Sequence, residues 1–392
     1  MDAHLTEWTA LLLRWFHLVT GAAWIGASFY FNWLNNHVRP VESGDPDARV
    51  KGEVFAIHGG AFYRVSKYEG APERLPRTLH WFKYEAYFTW ITGFLLLAVT
   101  YWAESSAMMV DAAVRALSPS AAVGLGFGSL VVGWLVYDLL CRSPLAARAG
   151  ALALVLGSLF TAASFGLFHL LAPRAAAMHF GAMIGTIMAA NVLFVIIPGQ
   201  RAMVDAMIAG NPPPLEAGKA GALRSLHNNY LTLPALFVMV SNHYPSVWGH
   251  PLGWALVVAI AGMGVLLRHS FNLRGVGHPR PWTPAIVGAV GLAVLAVCTR
   301  PATVSAAPTS VPDTTAQIIV AIRCLPCHSE VPTQPGILAP PKGLSFQDRA
   351  SMLASRARIA TQVETRAMPL GNLTQMTDDE RATLVSWAKA AP

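Results

Sequence analysis

Residues 323–330, RCLPCHSE, place Cys324 and Cys327 three apart with His328 directly after the second. Cys-x-x-Cys-His is the attachment pattern of a c-type heme. The two thiols form thioethers to the porphyrin, and the histidine becomes an axial iron ligand. A redox dithiol and a zinc half-site are the other uses of such a pair. The zinc reading fails because no second Cys/His pair follows at zinc spacing. A second axial ligand is expected downstream. Met368, followed by Pro369, has the usual context of a ligand methionine, and a thioether in that position raises the iron potential. Met376 is the rival, but it directly precedes a Thr377-x-x-Glu380 capping box. That box predicts a terminal helix over Thr377–Ala391, with Leu384 and Trp387 on its packed face. Residues 313–392 therefore read as a small α-helical, class I-like cytochrome c domain with one covalent heme c.

The elements that must position this group are unusually apolar. The chain has 392 residues, of which 54% are hydrophobic and 12% charged. That charged fraction is about half of what soluble domains carry, and it implies a membrane protein. The net charge of +7 lies in no basic run, so no nucleic-acid partner is expected. Cys141 and Cys298 end apolar runs and read as packed thiols. Asp2 and Glu7 stand where a signal peptide would be basic, so the first apolar run is expected to insert and stay.

Eight apolar runs are long enough to span a bilayer, beginning near Trp8, Tyr84, Ser120, Ala149, Ala175, Asn229, Leu252 and Thr283. The expected fold is all-α: a polytopic bundle of about eight transmembrane helices over 1–299, a Pro/Ala/Ser/Thr linker over 300–312, and the cytochrome domain over 313–392. Fifteen Lys and Arg residues fall in the odd-numbered loops, eight of them in the long first loop, and only Arg115 and Arg174 in the even ones. The positive-inside rule then places odd loops in the cytoplasm and both termini outside. Covalent heme c is attached on that outer side, so two independent lines put the cytochrome domain in the periplasm of a bacterial inner membrane.

Histidines at membrane depth are costly and usually functional. His17, His169, His179 and His243 fall in the outer half of this topology, and His80, His227 and His269 near the inner helix ends. Two readings stand side by side. Facing pairs from this group, among His17, His169, His179, His243, His227 and His269, would ligate b-type hemes; alternatively, these are interfacial or inter-helix hydrogen-bonding residues.

The inner surface is chemically rich. Loop one carries HGGAFYRVSKY, in which Gly59 and Gly60 let a backbone approach a ligand. Phe62 and Tyr63 offer a flat stacking surface and His58 a proton acceptor. Its end, LHWFKYEAY, brings His80, Lys83 and Glu85. SLHNNY supplies His227, Asn228 and Asn229, and FNLRGVGHPRPW supplies Asn272, Arg274 and His278. Such a set suits a planar, anionic, amide-rich substrate; membrane-interface anchoring is the plainer use of the same residue types.

These motifs together resemble the integral-membrane, cytochrome-c-type urate oxidases of bacteria. The resemblance runs over nearly the whole chain and rests on WFHLVTGAAWIG, HGGAFY, CLPCH and MPLGNLTQMTDDER; Ala61 stands where the family favours a third glycine. The opening helix is also similar to that of membrane protoporphyrinogen oxidases and copper-resistance proteins, which supports His17 as a heme ligand. The resemblance implies oxidation of urate to 5-hydroxyisourate, with water as oxygen source, and electrons leaving through heme c to a soluble cytochrome or a terminal oxidase. In that frame Arg274 or Lys83 balances the substrate charge, Asn228, Asn229, Gly59 and Gly60 bind its amide edges, and His58 or His80 takes a proton. Quinol and a porphyrinogen are the alternative electron donors. A cytoplasmic substrate site would leave roughly 30 Å of hydrocarbon to cross. Either the histidine sets hold b-type hemes, or the substrate binds nearer the outer face; the two sets of histidines favour the first.

Overall fold

The computed structural model describes residues 3–41, 49–68, 72, 74–299, 311–334, 337 and 339–390. Most of the 300–312 linker lies outside the described residues.

The chain opens with a long helix, α1 (Ala3–His37), followed by strands β1 (Val50–His58) and β2 (Ala61–Tyr68). Helix α2 (Tyr84–Leu97) ends in a π turn (Ala98–Trp102), and the short α3 (Ser105–Met108) leads to α4 (Pro119–Arg142) and α5 (Ala149–Phe168). Helix α6 (Pro173–Asn191) runs through a second π turn (Val192–Ile196) into α7 (Ile197–Ile208). Helices α8 (Leu215–Ser241), α9 (Pro245–Trp248), α10 (Gly253–Gly275) and α11 (Thr283–Cys298) complete the apolar body. The carboxyl-terminal part comprises α12 (Asp313–Arg323), α13 (Leu325–His328), α14 (Arg349–Ala354), α15 (Arg356–Glu364) and α16 (Asp378–Lys389).

A helix stands at each of the eight expected spans. Five stretches are long and apolar enough to cross a membrane: α1, α4, α5, the continuous α6–α7 and α10. The other three fall short for visible reasons. Helix α2 is short, α8 carries Glu216, Lys219 and Arg224 in its first half, and α11 has 16 residues.

Helix α6 forms the centre and packs against α4, α5, α8 and α2. Most of its side chains are buried, as expected of a helix that is apolar all round. Helix α4 admits it closely, since a Cβ on Gly133 would lie 2.4 Å from Met183 Cγ. Helix α1 lies at the edge, mainly along α2, and exposes Leu12, Trp15 and Leu18. Two apolar grooves, one along α1 and one lined by α5 and Trp254 of α10, hold none of the histidines, arginines or asparagines discussed below.

The all-α expectation needs one correction, because loop one folds into an antiparallel hairpin. Gly59 and Gly60 form its two-residue turn at φ +58° and +79°, with His58 paired to Ala61 and Ile57 to Phe62. Positive φ at both central residues is what a type I′ turn demands, and glycine supplies it without strain. The two glycines thus serve the chain reversal. The ribbon joins the carboxyl end of α1 through the Arg39–Glu53 backbone pair, at 2.8 and 2.9 Å, and through Lys67 Nζ, which donates to Asn35 Oδ1 at 2.8 Å.

The carboxyl-terminal helices close on a separate core of Ile319 and Val320 of α12, Met352 of α14, Ile359 and Val363 of α15, and Met376, Leu384 and Trp387 around α16. The expected capping box is present. Thr377 Oγ1 accepts from Glu380 N at 3.2 Å, and Glu380 Oε2 accepts from Thr377 N at 2.8 Å. Arg323 forks onto the same Glu380 carboxylate at 3.0–3.1 Å and ties α12 to the start of α16. Thr377→Ala is expected to cost this domain about 1 kcal/mol, read as a lower urea midpoint for the loss of near-UV Trp387 signal.

This domain rests on one end of the bundle. Ala367 is buried in the same cluster as Met109, Leu171 and Trp248. Gly249 meets the Thr365 carbonyl so closely that a Cβ there would lie 1.8 Å from the oxygen. Burial raises the pKa of the Asp111 carboxyl, and Arg381 and Arg366 of the docked domain pull it partly back.

Candidate functional site

The Cys-x-x-Cys-His segment is built by two tight backbone devices. Cys324 caps α12, and Leu325–His328 form one further turn, which brings Cys324, Cys327 and His328 together. His328 Nδ1–H donates to the Leu344 carbonyl at 2.9 Å, and the ring lies 4.9 Å from that of Phe346. This bond fixes the tautomer and leaves Nε2 as the lone-pair atom, the arrangement an iron-ligating histidine requires. Burial pushes the Cys324 thiol up to about 12 and raises that of Cys327 as well. Neither is the ready thiolate that a redox dithiol needs. The Cys/Cys/His set fits a covalently attached heme.

Met368 lies on the loop that faces the bundle. Its carbonyl accepts from Arg381 Nη1 at 2.7 Å, and Arg381 also reaches the Val363 carbonyl at 3.3 Å and Asn372 Oδ1 at 3.0 Å. Arg381 is 7% exposed and acts as the internal brace of the methionine loop. Sequence reasoning missed it, because a lone arginine in a polar terminal helix carries no signal of burial. Met376 is in the hydrophobic core at 3% exposure, with its backbone pinned by Asn372, whereas Met368 is half-buried. Among the described residues, no group of three or more His, Cys, Asp and Glu side chains is arranged to hold a bare metal ion.

At the opposite end of the bundle, the four consecutive residues His227, Asn228, Asn229 and Tyr230 of α8 organise a buried polar layer. Successive residues on a helix point about 100° apart, so the four reach three neighbouring helices. His227 Nδ1 lies 2.8 Å from the hydroxyl of Tyr137 on α4. Asn228 accepts from Asn191 Nδ2 of α6 at 2.9 Å and donates to the Met188 carbonyl at 3.0 Å. Asn229 Oδ1 accepts from Arg268 Nε of α10 at 2.9 Å. The Tyr230 hydroxyl lies 2.7 Å from His269 Nδ1.

On the α4 side the layer is an ion pair. Asp138 takes Arg224 Nη2 at 2.7 Å and Arg142 Nε at 2.6 Å; Arg224 is 3% exposed. On the α10 side it is a ladder of amides. Asn36 donates to Asn32 at 2.8 Å, Asn32 to Asn272 at 2.8 Å, and Asn272 to Asn229 at 3.4 Å. Arg268 is 8% exposed, and its guanidinium carbon stands 4.1 Å from the centre of the Phe29 ring. Asn191 Oδ1, Arg224 Nη1 and Asn229 Nδ2 are buried and have no partner.

The structure joins Asn228, Asn229 and His227 in this layer and leaves the other proposed substrate residues outside it. His58, Gly59, Gly60, Phe62 and Tyr63 sit at the exposed hairpin tip. His80 is exposed against Phe82, Lys83 is half-buried over Tyr84, and Arg274 is exposed over Trp282. The layer's own arginines, Arg224 and Arg268, and the tyrosines Tyr137 and Tyr230 escaped the sequence reading. The signal that could have found them is the helical spacing of charged residues inside apolar runs.

The remaining histidines are engaged individually. His179 is fully buried, donates through Nδ1 to the Ala175 carbonyl at 2.8 Å, and accepts at Nε2 from Trp102 Nε1 at 3.0 Å, so both its nitrogens are used. His169 caps α5 and is exposed, and His243 is exposed in the turn after α8. His17 donates through Nδ1 to the Thr89 carbonyl at 2.9 Å and turns Nε2 toward Met239 Sδ at 3.4 Å.

The urate oxidase N-terminal family profile matches residues 3–299, and the match ends where the linker begins. No curated protein and no solved structure matches the chain. Covering some three quarters of the sequence and the entire polar layer, that match settles the family: the chain belongs to the urate oxidase N-terminal family, which makes it an oxidoreductase of urate metabolism.

Proposed function

We propose that the protein is a bacterial inner-membrane urate oxidase that hands electrons from urate to a c-type heme on its own carboxyl-terminal domain. The observation that carries this reading is the family match over 3–299, on a chain whose remaining residues set Cys324, Cys327 and His328 in one turn. Cys324, Cys327, His328 and Met368 would hold heme c, which would supply one-electron transfer there. Urate plus water gives 5-hydroxyisourate, two protons and two electrons, so the chain must bind a planar anion, admit water and remove protons. Buried Arg268 and the buried amides suit the first task, and the Tyr137–His227 and Tyr230–His269 pairs suit the last. Exposed Arg274 and half-buried Lys83 add positive charge near the inner helix ends and draw an anion toward it.

We assign both ends of the chain to the periplasm. In support, the heme domain rests on the end of the bundle that is poor in Lys and Arg, and the polar layer lies at the end that is rich in them. The electron acceptor is then a soluble cytochrome or a terminal oxidase. Roughly 30 Å of hydrocarbon separates the two ends, and we assign the gap to b-type heme, with His17, whose Nδ1–H donates to the Thr89 carbonyl and leaves Nε2 as the lone-pair atom, as a residue that would hold it.

The test is anaerobic addition of urate to the oxidised, detergent-purified chain, with the heme c band followed in time. Rapid reduction is expected. A band that stays oxidised with urate, but is reduced by dithionite, would overturn the substrate; ubiquinol would be the next donor tried.

A further inference from the structure

We propose that urate binds where α1, α8 and α10 pack together, around Arg268 and Asn229. The inference rests on urate being the electron donor and adds where and how it is bound.

The argument begins with charge. The polar layer contains two buried guanidiniums, Arg224 and Arg268, at 3% and 8% exposure. Arg224 is neutralised by Asp138 at 2.7 Å. Arg268 has no carboxylate among the described residues; its partners are an amide oxygen and the face of Phe29. A buried charge without a counter-charge is strongly disfavoured unless an anion joins it. Arg268 lies seven residues from the end of α10 at Gly275, or about 10 Å from the helix end at 1.5 Å per residue.

The second strand is hydrogen bonding. Each amide of the Asn36–Asn32–Asn272–Asn229 ladder donates to the oxygen of the next. The ladder ends on Asn229 Oδ1, which also accepts from Arg268 Nε. Because Arg268 Nε–H can only donate, it fixes the orientation of the Asn229 amide and rules out the flipped alternative. Asn229 Nδ2, on a residue 3% exposed, is left buried with no acceptor among the described residues. This junction therefore lacks an acceptor and a negative charge at the same place. A planar oxyanion with ring carbonyls supplies both: its charge faces Arg268, a carbonyl takes the Asn229 N–H, and its flat ring lies near Phe29. The Tyr230–His269 pair, next in sequence to Asn229 and Arg268, is placed to receive a proton released by the bound ring. The ladder starts at Asn36, one residue from the inner end of α1, which gives a polar route inward.

Asn229→Asp is the decisive variant. It places a carboxylate beside Arg268 and fills the site's charge deficit from within, so the protein should fold at least as well. The full-length, heme-loaded protein is purified in detergent and its KM for urate is read from anaerobic heme c reduction. Asn229→Asp is expected to raise KM at least 30-fold without lowering the thermal midpoint. Arg268→Lys, which keeps the charge and loses the fork, should raise it about tenfold. Unchanged KM in both variants, with the wild type reduced by urate, would overturn the site and leave the function standing. A wild type that urate does not reduce would overturn the function and this inference together. Co-purified anionic phospholipid, lost in Asn229→Asp while KM for urate holds, would make a lipid headgroup the ligand and overturn the proposal as well.

Discussion

Gly249→Val is expected to leave heme c in place and cut its reduction by urate by about 100-fold. The reason is a backbone contact. A Cβ at residue 249 would lie 1.8 Å from the Thr365 carbonyl oxygen and 2.7 Å from that of Pro245. Both are main-chain atoms, so no rotamer relieves the clash, and the two backbones must part. Thr365 is three residues before Met368, and Ala367 is buried against the bundle. Separation therefore moves the methionine loop away from the end of the bundle that holds Met109, Leu171 and Trp248. A misplacement of about 1 Å at a reacting centre already costs on the order of 100-fold. Arg381 should still brace the loop internally, so the dithionite-reduced spectrum should match the wild type. Stopped-flow reduction by urate and by dithionite, compared in the two proteins, checks this. Urate-driven reduction at the wild-type rate would show that electrons do not enter through this contact.

The same contact shows what a sequence can and cannot convey. The terminal capping box was legible because its chemistry is local: Thr377 and Glu380 lie within four residues. The helices were legible because apolar runs of that length have few other uses. The hairpin was missed as a hairpin, although its signal was present. Apolar residues at Val54, Ala56, Phe55 and Ile57 mix both faces, so period-2 alternation is blurred, and Gly59–Gly60 was given a ligand-binding task instead of a turn. The polar layer was half legible. Asn228 and Asn229 stood out as amides in an apolar helix, but their partners Asn191, Arg268 and Asn272 lie between 37 and 43 residues away. Which face of α8 each amide takes depends on packing that no single run encodes. The exposed residues Arg274 and His58 looked better from the sequence because their loops are dense in functional residue types. Depth in the bundle, which decides whether a charge is costly and therefore informative, becomes visible only in three dimensions.

Removing Asp138 should destabilise the helical bundle by about 3–5 kcal/mol, the cost of leaving a buried partner unpaired. Asp138 takes Arg224 Nη2 at 2.7 Å, and Arg224 is 3% exposed, lies over the Tyr137 ring and has one nitrogen without a partner already. Asp138→Leu strips its only carboxylate among the described residues. Replacing both members, Asp138→Leu with Arg224→Met, should restore most of the loss, because neither charge is then left in a dry interior. Arg142→Ala is the contrasting case. Its side chain is 62% exposed although it also bonds Asp138 at 2.6 Å, and an exposed partner of this kind is worth less than about 1 kcal/mol. Unfolding midpoints in an SDS titration of the detergent-solubilised protein would give the four values of the cycle; additive losses would overturn the pairing. The cycle also separates the two arginines of the layer. Arg224 has its counter-ion within the protein and needs no ligand, so the double replacement should keep KM for urate within a few-fold. Arg268 has none, and a substitution beside it should act on substrate binding before it acts on stability. One layer of polar residues thus divides into a pin that holds α4 to α8 and a charge that is held open for an anion.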